Sequence, residues 1–211
     1  TSPWAVAPAA RAPPARKATT PNLRGTDAAW TKDFAVPNVP SNQLQGRENA
    51  LNWAPRFLPL LQSSFPQKQW FWYDHHHFTP VSGLVQTFMG VPGDVILDDD
   101  RYVTADGCVP HACAGYRGML WIDSSAHPAV LIFAAINMVN NESGKEADHL
   151  WLFTSKKLNW THLPQPFLSS LQHWQQKLAA KGYMGTTGYH YNFLVATIVQ
   201  PNGEMVDISP T

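Results

Sequence analysis

The sequence predicts an α+β fold, an antiparallel β-sheet meander with flanking helices and a short loop protruding from one end of it. Three observations predict this. β-rich runs follow one another between residues 92 and 154, separated by turn residues and with no helical pattern between them. A long run with apolar residues at three- and four-residue spacing, Gln165 to Lys181, comes after them. The chain then closes on two apolar stretches joined by Pro201-Asn-Gly203, an Asn-Gly hairpin signal.

At 211 residues the chain suits one large domain, or one domain with appended segments, and 44% apolar residues with nine Trp supply a real core. Lys plus Arg and Asp plus Glu are 15 each, a balance that gives no support for a nucleic-acid partner or a polybasic membrane anchor. No apolar run reaches the roughly 18 residues of a membrane span. The first residues lack the charged and apolar regions of a secretory signal. Two closely spaced cysteines and no others fit an exported protein with one disulfide.

Residues 1–45 read as a Pro/Ala-rich N-terminal tether followed by an irregular segment, and residues 46–211 as a single domain. Trp30 and Phe34 are candidate anchors that would drape the irregular segment over that domain. Arg47 to Ser64 carries Leu51, Phe57, Leu58, Leu60 and Leu61 in an amphipathic helical pattern, which Pro55 and Pro59 must kink or break. Trp70 to Tyr73 reads as a short buried strand. In the Asp74-His75-His76-His77 run, alternate side chains of an extended chain share a face, so only His75 and His77 could hold one ion. No second pair of ligands stands nearby at zinc spacing, and a polar loop or strand end is the preferred reading.

The strand signal then strengthens. Asp94 to Leu97 and Arg101 to Thr104 flank Asp98-Asp99-Asp100, which lacks the spacing of a calcium loop and suits a tight hairpin turn. Tyr116 to Asp123, Ala129 to Met138 and His149 to Thr154 continue the series. In the helix, Phe167, Leu168, Leu171, Trp174 and Leu178 make one face, Pro166 fits the first turn and Gly182 the stop. Gly182 to Gly188 is a glycine-rich connection to the final hairpin, Tyr189 to Gln200 and Met205 to Ile208.

Between the second and third strands lies Cys108-Val109-Pro110-His111-Ala112-Cys113, which holds both cysteines of the chain. Four intervening residues permit a disulfide when the turn brings the Cα atoms within about 4.4–6.8 Å. Pro110 fixes its own φ and biases Val109 toward extended geometry. His111 is the one side chain of the loop able both to donate and to accept a hydrogen bond. From spacing alone three readings stand: a plain staple, half of a metal site, or a rigid recognition loop whose fixed shape lowers the ordering cost of binding.

Signatures of catalysis are missing. There is no Gly-x-Ser-x-Gly elbow, His-Glu-x-x-His, phosphate-binding loop or dinucleotide fingerprint, and no paired carboxylates can be singled out as an acid and base. No enzyme and no cofactor are expected.

The segment from Pro92 to Ile136 resembles the Ivy-type family, bacterial periplasmic inhibitors of C-type (vertebrate) lysozyme. That family carries a Cys-Lys-Pro-His-Asp-Cys loop closed by a disulfide, preceded by two strands and followed by a strand meander. Here Cys108-Val-Pro-His-Ala-Cys113 stands in that place, with a similar Val95-x-Leu-x-Asp-x-x-Tyr102 pattern before it and Met119-Leu-Trp121 after it. The likeness extends more loosely from about Asn49 to Leu152; the tether, the 165–181 helix and the C-terminal hairpin look like additions to it. Val109 and Ala112 replace the family's Lys and Asp, which removes two charged groups.

The resemblance implies a disulfide between Cys108 and Cys113 and a loop, residues 108–113, that plugs the target's active site. A lysozyme cleft holds two carboxylates, one an acid of raised pKa and one ionised. His111 would hydrogen-bond that pair, with Pro110 and the bridge as stiffeners. The expected partner is lysozyme or another peptidoglycan-cleaving glycosidase, the expected location periplasmic or secreted, and a homodimer is compatible with both. Three other readings remain: an immunity protein against a bacterial muramidase toxin, a metal-binding or enzymatic protein using His111 with the 75–77 histidines, and a tethered structural protein of the cell envelope.

Overall fold

The structure is a computed structural model that describes residues 28–38, 50–65, 68–69, 79–140, 146–159, 161–181 and 193–208. The expected tether up to residue 27, the strand at 70–73, the His75 and His77 candidates and the glycine-rich connection at 182–188 lie outside the described residues.

The chain enters through a 3₁₀ helix, Ala28–Phe34, and a short strand β1, Val36–Pro37. Ala28 and Thr31 are buried, and Trp30 and Phe34 pack edge to face on the core with centroids 5.9 Å apart. The guanidinium of Arg56 lies over the Trp30 ring, 5.2 Å from its centroid. The next pattern splits where its prolines stand. A 3₁₀ turn, Ala50–Trp53, ends before Pro55, and helix α1, Phe57–Ser64, carries Pro59 in its first turn, where the absent N–H has no helical partner to lose. Phe57, Leu60 and Leu61 bury α1 against the sheet.

A two-stranded ladder of β2, Lys68–Gln69, and β3, Thr79–Pro80, leads into helix α2, Val81–Phe88. The sequence reading assigned no element here. The signal was present, since Val81, Leu84, Val85 and Phe88 fall on one helical face and are all buried.

Five strands follow as an antiparallel meander: β4, Val91–Asp98; β5, Tyr102–Cys108; β6, Arg117–Asp123; β7, Val130–Asn140; and β8, Glu146–Thr154. The β4–β5 turn puts Asp99 and Asp100 at φ 51° and 50°, a left-handed region that Asp tolerates better than most residues. Helix α3, Gln165–Lys181, then crosses back so that β9, Phe193–Val199, pairs parallel with β8. β10, Met205–Ile208, returns antiparallel to β9 through a turn with Gly203 at φ 83°. The sheet order is β1-β4-β5-β6-β7-β8-β9-β10.

The sheet is thus mostly antiparallel, as expected, but the pairings β1/β4 and β8/β9 are parallel. The second has a simple cause: a helix between two neighbouring strands makes a crossover, and crossovers return the chain in the same direction. The C-terminal helix and hairpin are also no appendage. They complete the same sheet and cover its second face.

Both faces of the central strands are apolar, which is why those runs read as nearly continuous hydrophobic stretches. Leu120, Ile122, Phe133 and Phe153 pack under α1 and α2. Their neighbours Met119, Trp121, Ile132 and Leu152 pack under Phe167, Leu171, Trp174 and Leu178 of α3. Burial of each large side chain contributes roughly 1.5–3 kcal/mol, so the helices on opposite faces clamp the strands that carry the loop.

Candidate functional site

The loop is the connection between β5 and β6, two central strands, rather than an edge excursion. A disulfide joins Cys108 to Cys113, with the Cα atoms 5.0 Å apart, inside the range such a bridge requires. Inside it the Ala112 N–H donates to the Val109 carbonyl at 3.0 Å. Pro110 in second position and His111 at φ 63° in third are the marks of a type II turn. His is enriched among residues that take positive φ. Beyond the bridge, the Tyr116 N–H returns to the Ala112 carbonyl and the Val109 N–H reaches the Tyr116 carbonyl, each at 3.0 Å. The backbone of the loop is therefore largely bonded to itself.

Its side chains divide sharply. Val109 is 3% exposed and belongs to the core under α2, and Cys108 is buried beside it. Ala112 is half-buried against the same core. Pro110 and His111 alone among residues 108–113 are exposed. The apolar residue at position 109 thus sits where a charged one would have to leave the interior, and a partner meets Pro110 and the imidazole. No described residue hydrogen-bonds that ring.

The floor beneath the loop is made by close backbone approach. A Cβ on Gly90 would come within 2.9 Å of Pro110 Cδ, and one on Gly107 within 2.7 Å of Met89 Cα. Both positions therefore need glycine, and the turn after α2 fits directly under the loop. Phe88 meets Tyr116 edge to face at 6.3 Å on the same side.

On the opposite face a buried charge cluster fixes the base of the hairpin. Lys177 of α3 donates to Asp106 Oδ2 at 2.8 Å and ion-pairs with Asp94. The Asp94 N–H donates to Asp106 Oδ1 at 2.6 Å, where the β4–β5 register shifts between Pro92 and Val95. Gly93 leaves the room, because a Cβ there would lie 2.0 Å from Asp106 Oδ1. All three charged side chains are more than nine-tenths buried. Such a cluster adds little net stability over an apolar one but specifies one arrangement of α3 on the hairpin, because a half-broken version is costly. Asp106 is two residues from Cys108.

Cross-strand from Cys108 stands Arg117, half-buried, its Nε buried without a hydrogen-bond partner among the described residues. Sequence reasoning passed over Arg117, Gly90 and the Asp94–Asp106–Lys177 cluster. Only the pairing register reveals that they surround the loop.

Among the described residues no group of three or more His, Cys, Asp or Glu stands close enough to hold a metal ion. No helix described is long and apolar enough to cross a membrane. What remains is a stiff, disulfide-closed turn that presents one imidazole, with Arg117 paired across the ladder from Cys108 at its base. Residues 80–177 match the family model of Ivy, the inhibitor of vertebrate lysozyme. The Ivy match begins at the end of β3, takes in α2, β4 to β8 and most of α3, and includes the loop. It begins later than the loose likeness read from about Asn49, and it takes in most of α3, which the sequence reading set apart as an addition. No curated protein and no solved structure matches the chain. The Ivy match supports a role in lysozyme inhibition.

Proposed function

We propose that the protein, exported from the cytoplasm, inhibits a lysozyme-type peptidoglycan glycosidase by inserting the Pro110–His111 tip of the Cys108–Cys113 loop into the active-site cleft. The observation that carries this reading is the exposed imidazole of His111, bonded by no described residue, on a turn that is otherwise closed by a disulfide and by its own backbone. A lysozyme cleft presents one protonated and one ionised carboxyl group at pH 7. A neutral imidazole accepts from the acid through one nitrogen and donates to the carboxylate through the other; a protonated one donates to both. Either way the pair is occupied and the substrate position filled.

Pre-organisation supports the same reading. Loop ordering commonly consumes binding energy, about 0.5–1.5 kcal/mol for each immobilised rotamer-rich side chain. Here Val109 is already held in the core and Pro110 already rests on Gly90. Arg117 adds a positive charge next to the bridge, the sign that a carboxylate-lined cleft attracts.

Lysis of a peptidoglycan suspension by C-type lysozyme tests the proposal, with stoichiometric wild-type protein and with His111→Ala. Wild type is expected to stop lysis and the variant to restore it. Equal inhibition by both would move the active surface elsewhere. No inhibition by wild type would remove vertebrate-type lysozyme as the target, leaving bacterial muramidases.

A further inference from the structure

Among the described residues four large hydrophobic side chains are conspicuously exposed: Trp53 at 66%, Met205 at 43%, Val91 at 42% and Leu168 at 37%. One of them, Val91, stands at the foot of the loop, and a second, Trp53, is joined to the same segment. Val91 begins β4 and pairs in register with Cys108. Trp53 ends the 3₁₀ turn whose preceding residue, Asn52, donates its side-chain N–H to the carbonyl of Met89. Met89 touches the loop at Gly107, and its neighbour Gly90 touches it at Pro110. Trp53 and Val91 are therefore tied through one short segment, residues 89–91, to the underside of the loop.

The loop by itself is too small for a stable interface. Standard complexes bury roughly 800 Å² per partner, about 20–30 residues a side, and only Pro110 and His111 of the loop are exposed. More surface must be contributed by what adjoins it. Trp is enriched among the residues that dominate binding energy. Clefts that hold ligands are lined mainly by hydrophobic and aromatic side chains.

We infer that Trp53 and Val91 form an apolar shoulder of the docking surface and pack against the rim of the same glycosidase cleft that His111 enters. This rests on the inhibitor reading given above. It adds a second anchor of different chemistry: the loop supplies polar complementarity, the shoulder buried apolar area. Loss of the shoulder therefore shortens the lifetime of the complex more than it slows encounter.

The test is calorimetric titration of C-type lysozyme with wild type, Trp53→Ser, Val91→Thr, His111→Gly and, as a remote control, Met205→Ser on β10. Thermal melts confirm each fold, and Val91→Thr carries the test by itself if Trp53→Ser disturbs its turn. The expected result is about thirtyfold weaker binding for Trp53→Ser, about threefold for Val91→Thr and no change for Met205→Ser. If both shoulder variants bind within about twofold of wild type while His111→Gly does not bind, the shoulder is refuted and the loop reading stands. If wild type itself does not bind lysozyme, the shoulder as a contact on that enzyme falls, together with vertebrate-type lysozyme as the target.

Discussion

At one end of the β5–β6 ladder Arg101 grips Asp123 with two hydrogen bonds of 2.8 and 2.7 Å, and Ser125 adds its N–H and hydroxyl to the same carboxylate. At the other end, past Cys108 and Arg117, the bridge-closed turn raises an imidazole that no described residue bonds. The two ends share strands, register and core, yet one consumes its polar groups internally and the other leaves its own outside. The Asp123 carboxyl is held below the usual range, first by the Arg101 hydrogen bond and then by those from Ser125, against the opposing effect of burial. An end built only to close a hairpin looks like that. The loop end is as firmly built, by disulfide, glycine contacts and a buried ion cluster, but it leaves its one imidazole exposed.

The contrast can be broken most severely beneath the loop. Lys177→Met leaves Asp94 and Asp106 buried without their cation, and destabilisation of about 3–5 kcal/mol is expected from chemical denaturation. A loss below about 1 kcal/mol would mean that the cluster does not fix the hairpin. Removing the bridge with Cys108→Ser and Cys113→Ser comes next. A small closed loop predicts a stability loss of about 2 kcal/mol, accompanied by weaker binding of the target because the turn must then be ordered on association. Unchanged affinity would reduce the disulfide to a staple.

Smaller effects come with pH and belong away from the loop. His149 stacks on Trp151 with centroids 4.1 Å apart, bonds Thr197 at 2.9 Å, and has its pKa lowered by burial despite the pull of Asp207. A base whose folded pKa is depressed contributes fully above its unfolded value, about 6.5, and loses that contribution as pH falls below it. Stability should therefore decline from about pH 6.5 downward, and His149→Gln should remove that limb. Asp123 adds a second decline below about pH 4: its depressed folded pKa gives stability that is present above the unfolded value and lost as pH falls through the folded one.

Much of this architecture was legible in the residues. The α3 boundaries, the Asp turn, the Asn-Gly hairpin and the strand series follow from spacing and turn chemistry, and the loop stands between the strands where the sequence put it. Pairing partners were less legible, because strand order is a tertiary property. Nothing local in Phe193–Val199 says that it lies parallel to β8, or that Val36–Pro37 adds an edge beside β4. Helix α2 was missed although its period was there, because Gly83 and the three polar residues Ser82, Gln86 and Thr87 diluted an already short pattern. At the loop, Pro110 and His111 could be singled out by chemistry. That Val109 is buried in the core, and that Arg117 stands across the ladder from Cys108, required the tertiary structure.

The central claim is that the loop tip occupies the glycosidase cleft, and competition tests it most directly. Lysozyme would be titrated with the protein alone and again after saturation with a non-hydrolysed chito-oligosaccharide that fills the cleft. The account predicts that the saccharide abolishes binding, or weakens it in proportion to its own occupancy. Binding of undiminished affinity to the saccharide-filled enzyme would contradict it.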